Sequence, residues 1–162
     1  LELGLSRCVT VQYDGIWGMG WDTHSNNWYQ SLHFEELFGY LERLMSALAS
    51  RTTSDGTPLS ERVTVAVVSE MGRNPILNDW AGKHHWTYTS AMLIGAGVAG
   101  GQVVGGYDDN LVGQRLDLAS GAPSKSGTAA LSGNLGATLL ALADIDPAKY
   151  TDGLEPIRAA LL

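Results

Sequence analysis

The stretch Val63-Thr-Val-Ala-Val-Val68, followed at once by Ser69-Glu-Met-Gly-Arg73, decides how the rest of this chain is read. Six β-branched or apolar residues in a row, without alternation, fit a strand covered on both faces, as in a parallel sheet. The polar run that follows then lies at the strand's carboxyl end, where open α/β sheets bind their ligands. Upstream, Phe34, Leu37, Phe38, Leu41, Leu44, Met45 and Leu48 recur at helical spacing. With Glu35 and Glu36 in the first turn and Arg51 near the end, the charges suit the helix dipole, and an amphipathic helix is expected. Further upstream, Arg7 to Tyr13 is rich in β-branched residues and closed by Asp14-Gly15, which reads as a buried strand with its turn. Strand, helix and strand in that order predict a right-handed crossover.

Downstream, Thr87 to Gly95 reads as a strand or a strand entering a turn, and Gly95 to Gly106, with six glycines, as a tight hairpin or wrapped loop. Leu131, Leu135, Leu139 and Leu142 share a helical face, with Ser132 or Asn134 as the N-cap and Pro147 beyond the stop. The fold class is therefore α/β, a mostly parallel sheet flanked by helices.

Composition sets the outer bounds. The 162 residues amount to one domain; at 44% hydrophobic and 17% charged they supply one core and do not describe a disordered tail. A net charge of −7 excludes a basic nucleic-acid face, and no apolar run reaches the roughly 20 residues of a membrane helix. Cys8 is the lone cysteine and matches no zinc-ligand spacing. The chain opens at Leu1 rather than Met and enters a strand-like run almost at once, which reads as a processed or truncated piece of something longer. A strand apolar on both faces needs neighbours, so such a piece is expected to associate with its missing half or with copies of itself.

Three polar clusters carry the candidate chemistry: Trp21-Asp-Thr-His24, Ser69-Glu-Met-Gly-Arg73 and Lys83-His-His-Trp86. Asp22 and His24 are two apart, so on an extended segment both side chains leave on one side. A carboxylate beside an imidazole suits Zn²⁺, Mn²⁺ or Fe²⁺, with a third ligand from His84 or His85. The competing reading is an Asp that caps a turn beside a His bonded locally. Glu70 reads as a metal ligand, a general base or a partner of Arg73. Arg73, if unpaired, matches an oxyanion through its planar fork. The five tryptophans around these clusters read mostly as packing residues, although a wall of indoles around a polar pocket also fits a ligand site. No Gly-x-Ser-x-Gly elbow, phosphate-binding P-loop or His-Glu-x-x-His motif is present.

The motifs Gly20-Trp-Asp-Thr-His24-Ser-Asn-Asn27, Val67-Val-Ser-Glu-Met-Gly-Arg-Asn-Pro75, Gly82-Lys-His-His-Trp86 and the glycine-rich run from Gly95 to Asp108 occur in the order typical of the DUF1501 family, which the chain resembles over nearly its whole length. That family is related to the alkaline phosphatase and sulfatase superfamily, and many members carry a twin-arginine export signal. The resemblance implies the C-terminal part of an alkaline-phosphatase-like domain, a periplasmic or secreted location, and hydrolysis of small phosphate or sulfate esters with a divalent metal, Zn²⁺ or Mn²⁺. It also implies metal ligation by Asp22, His24 and His85, with Glu70 and His84 as further candidates, and catalytic roles for Glu70 and Arg73. Two positions depart from the superfamily pattern: Met71 stands where a His usually follows the strand-end acid, and His84 where an Asp is usual. A one-metal site is thus better matched than a two-metal one, and an exported, catalytically silent binding or scaffold protein is the alternative.

Overall fold

The computed structural model describes residues 6–162, among which lie two α-helices, α1 (Gln30–Ser50) and α2 (Ser132–Leu142), and four short strands. The strands are β1 (Thr64–Val67), β2 (Gly72–Arg73), β3 (His85–Trp86) and β4 (Met92–Gly95). They form two antiparallel pairs, β1 with β4 and β2 with β3. The residues divide into two compact units: the first runs through Val63 and resumes over Val68–Ala91, and the second comprises Thr64–Val67 and Met92–Leu162.

In the first unit, α1 starts four residues ahead of Phe34, where the Gln30 N–H donates to Asn27 O at 3.2 Å. The early start places Glu35 and Glu36 in the second turn, away from the dipole's positive end. Glu36 instead accepts a short hydrogen bond from the Tyr13 hydroxyl. Burial first, and then this carboxylate, push the Tyr13 phenol up to about 12. The fourth residue of the helix, His33, is fully buried, and its Nδ1 accepts the Ile16 N–H at 2.9 Å. An imidazole accepting at Nδ1 carries its proton on Nε2, which makes His33 a neutral packing histidine between Trp21 and Tyr29, at ring distances of 5.0 and 5.4 Å. Gly15, at φ 88°, lies so close to that ring that a Cβ would overlap it.

Arg7 to Tyr13 forms no strand; Val9 and Val11 are exposed and the segment has no ladder partner among the described residues. β-branched composition marks a segment that fits a pleated surface, but a strand exists only where another backbone pairs with it. The expected crossover is therefore not formed among the described residues. Phe34 and Phe38 stack on one another yet stay about half exposed, so the apolar stripe of α1 is only partly covered.

In the second unit, β1 occupies the decisive apolar stretch and pairs in the register Thr64↔Gly95 through Val67↔Met92. The Thr64 hydroxyl donates to Ala96 O at 2.7 Å, closing the end of the ladder. The pairing is antiparallel, and β1 is half-buried along most of its length. The glycine-rich segment after β4 is a wrapped loop: Val98 bridges to Leu161, and the Gly105 N–H donates to Gly121 O at 2.8 Å. Helix α2 occupies the expected leucine repeat, with Leu131 rather than Ser132 at its N-cap. Asn134 serves the helix start from inside the first turn: its Oδ1 accepts the Leu131 N–H while its Nδ2 donates to Glu155 O. Leu48 and Leu59 are the buried aliphatics of the first unit, and Leu116, Leu118 and Ala137 those of the second. No helix among the described residues is long and apolar enough to cross a membrane.

The raised Tyr13 pKa means that its bond to Glu36 is complete below the ordinary phenol value of 10.0 and is lost as the pH climbs toward 12. In an alkaline absorbance titration one of the six tyrosines is expected to ionise late, and Glu36→Gln should bring it back toward the others. Uniform titration of all six in the unsubstituted chain would contradict the Tyr13–Glu36 bond.

Candidate functional site

Two loops of the first unit, residues 22–27 and 78–85, are stitched together by backbone hydrogen bonds. Lys83 N donates to Thr23 O at 2.7 Å, Asn26 N to Trp80 O at 3.0 Å and Asn27 N to Ala81 O at 2.8 Å. Asn78 organises the second loop. Its Oδ1 accepts the N–H groups of Trp80 and Gly82, both at 3.0 Å, and its Nδ2 crosses to His24 O at 2.8 Å. Gly82 backs directly onto the His24 carbonyl, where any Cβ would overlap backbone. Beyond Gly82 the chain enters the β2–β3 ladder, in which Arg73 pairs with His85 and Gly72 with Trp86.

This stitching brings the His24 and His85 rings to 4.6 Å between centroids, at an angle of 50°. Asp22 Oδ1 accepts a short bond from His24 Nδ1, together with the His24 backbone N–H at 3.0 Å and Arg73 Nη2 at 3.0 Å. The backbone N–H of His24 foremost, then its ring, and then the nearby positive charges hold the Asp22 carboxyl below the usual carboxylate range. The Asp22–His24 contact is therefore kept down to acidic pH and lost only as the carboxylate takes a proton. With Nδ1 bonded to the carboxylate, the ring's Nε2 is the nitrogen left to meet a ligand. Arg73, with its side chain only 16% exposed, also donates Nη1 to Lys83 O at 3.1 Å. It therefore ties the two loops together rather than standing ready as an oxyanion fork.

Asp22, His24, His85 and Arg73 thus come together, and the two readings of Asp22 prove to be one geometry: it caps the turn at His24 and orients the ring. His84 turns elsewhere and packs edge-on to Trp80, with ring centroids 6.2 Å apart. Glu70 is exposed, accepts from the Ser69 hydroxyl at 3.2 Å, and does not pair with Arg73, whose carboxylate partner is Asp22. Among the described residues no three His, Cys, Asp or Glu side chains converge as a ready metal-binding group. Sequence reading passed over Asn78, although an Asn-Asp pair four residues ahead of a glycine is turn chemistry in which an Asn side chain bonds the backbone.

What these loops define is a solvent-facing Asp–His–His cluster braced by an arginine. The chain belongs to the DUF1501 family, described as a protein of unknown function, whose model matches residues 4–155. No curated protein and no solved structure shows significant similarity to it.

Because a Cβ at Gly82 meets the His24 backbone, Gly82→Ala is expected to lower stability by about 1–3 kcal/mol, as overpacking does. It should also shift the His24 and His85 ring resonances, whereas Gly100→Ala, at a position with open space around it and no positive φ, should leave them in place. Unmoved histidine resonances in Gly82→Ala would contradict the packing.

Proposed function

We propose that this chain contributes a metal site of a phosphate- or sulfate-ester hydrolase, with His24 and His85 as the imidazole donors and Asp22 as the carboxylate that orients His24. The observation that carries this reading is the apposition of the two rings with Asp22 on Nδ1 of one of them. A ligating histidine characteristically gives its other ring nitrogen to a carboxylate, which fixes the tautomer and strengthens the donor. The donor chemistry therefore fits a divalent ion, and a pair of imidazoles suits Zn²⁺ better than Mn²⁺. Such an ion supplies Lewis-acid stabilisation of charge on a phosphoryl or sulfuryl oxygen. Asp22 then acts at one remove, and Arg73 holds Asp22 while pinning the loop that carries His85. Glu70, exposed and close in sequence to Arg73, is the carboxylate left for proton transfer; His84, packed edge-on to Trp80, lies apart from the His24–His85 pair.

An alkaline-phosphatase-like fold and export from the cytoplasm belong to the same proposal and are supported by the sequence resemblance alone. A second reading, a metal- or ligand-binding protein without turnover, is favoured by one specific feature: the guanidinium that would steady a transferred oxyanion is already spent on Asp22 and Lys83.

Equilibration with Zn²⁺ or Mn²⁺, removal of excess and elemental analysis test the site directly. About one ion per chain is expected. His24→Ala and His85→Ala should abolish retention, and Asp22→Asn should weaken it roughly 10–100-fold, the usual scale for a carboxylate behind a ligating histidine. Turnover of nitrophenyl phosphate or nitrophenyl sulfate by the loaded chain supports the hydrolase. Retention without turnover supports the second reading, and no retained metal overturns the site.

A further inference from the structure

The loop that pins His24 also presents Trp80, and that indole is 67% exposed. Its exposure is not a sign of slackness. The Trp80 backbone N–H donates to Asn78 Oδ1, its carbonyl accepts from the Asn26 N–H, and Ala81, next in the chain, is held at φ 54° with its own N–H on Asn78 O. The backbone on both sides of the indole is thus fixed while the ring faces solvent. Beside it lies a cavity of about 230 Å³ lined by Asn78, Asp79, Trp80 and His84. The Asn78 side chain is committed to backbone groups. Asp79 and His84, both exposed, make no side-chain hydrogen bond among the described residues, so a carboxylate and an imidazole remain available at the cavity wall.

We propose that this cavity is a subsite for a neutral hexose ring, stacked on the exposed face of Trp80 and hydrogen-bonded through its hydroxyls to Asp79 and His84. A largely exposed indole, with the His84 ring set edge-on to it rather than stacked over it, suits the C–H face of a saturated ring whose other face stays in water. The flanking carboxylate and imidazole suit hydroxyl groups, which both donate and accept. The Asp79 carboxylate disfavours an anion here, so the pocket takes the uncharged ring and not a phosphate or sulfate group. The loop's fixed backbone lowers the ordering cost that a mobile aromatic would carry on binding. The inference deepens the proposed function by naming a sugar ester as the substrate class, and it rests on that reading only for the presence of the ester.

Neutral methyl glucoside and methyl galactoside, which carry no ester, isolate the subsite from hydrolysis. In the full chain labelled with ¹⁵N, either glycoside should shift the indole N–H resonance that Trp80→Phe removes, and should leave the other four indoles in place. Trp80→Ala should weaken binding roughly tenfold, the scale of a lost aromatic stack, and Asp79→Asn should weaken it less. Because Trp80 is exposed, the variant is expected to keep the far-ultraviolet dichroism of the unsubstituted chain. A Trp80→Ala spectrum showing lost structure shifts the decision to Asp79→Asn and to the chemical shift itself. Glycoside shifts together with no turnover of any ester leave the subsite standing and refute the hydrolase. No shift of the Trp80 indole with either glycoside, or shifts only with an aromatic probe such as phenol, overturns the subsite.

Discussion

Four hydrogen bonds between residues 23–27 and residues 78–83 hold together everything of chemical interest in this chain. They join groups 54 residues apart in the case of Asn78 and His24. Closing a loop of that length costs on the order of 3–4 kcal/mol. Four hydrogen bonds at about 1 kcal/mol each return a similar amount. The Arg73 bridge from Asp22 to the Lys83 carbonyl then tips the balance toward the closed arrangement. Glycine at position 82 is a condition of this closure, since nothing larger fits against the His24 carbonyl.

From that closure the chemistry follows in order. Lys83, once bonded to Thr23, delivers His85 to β3, and the β2–β3 ladder sets His85 opposite Arg73. Arg73 reaches back to Asp22, and Asp22 takes Nδ1 of His24. A carboxylate, two imidazoles and a guanidinium thereby share a small, partly solvated region, in which each partner restrains the protonation or orientation of the next. Such a chain of dependence is what a preorganised site requires, whether it turns over a substrate or only holds one.

Much of this was legible in the residues. The leucine repeat of α2 and the apolar run of β1 announced themselves by period and composition, because both depend on short-range pattern. The pairing of Asp22 with His24 was readable from their spacing, and His85 was among the candidates to join them. What could not be read was anything decided by a partner far along the chain. Arg7 to Tyr13 has the composition of a strand but no ladder among the described residues, and β1 pairs antiparallel with β4, a choice its own apolar residues do not express. Arg73 was read as an oxyanion ligand because nothing in its neighbourhood in sequence reveals that Asp22 and the Lys83 carbonyl occupy it. His33 does sit at the start of α1, but its burial and its acceptance of the Ile16 N–H depend on a segment that precedes the helix. Asn78 carries no signal of its bond to the His24 carbonyl, and nothing in the sequence singles out Trp80 from the other four tryptophans, because the contact of the one and the exposure of the other arise only in the folded loop.

The most direct test of the stitched loops is a nuclear Overhauser measurement between assigned ring protons of His24 and His85 in the intact chain near neutral pH. Rings 4.6 Å apart between centroids should give a clear cross-peak that is lost in Gly82→Ala. Assigned, well-resolved His24 and His85 resonances with no cross-peak between them would contradict the closure on which the site is built.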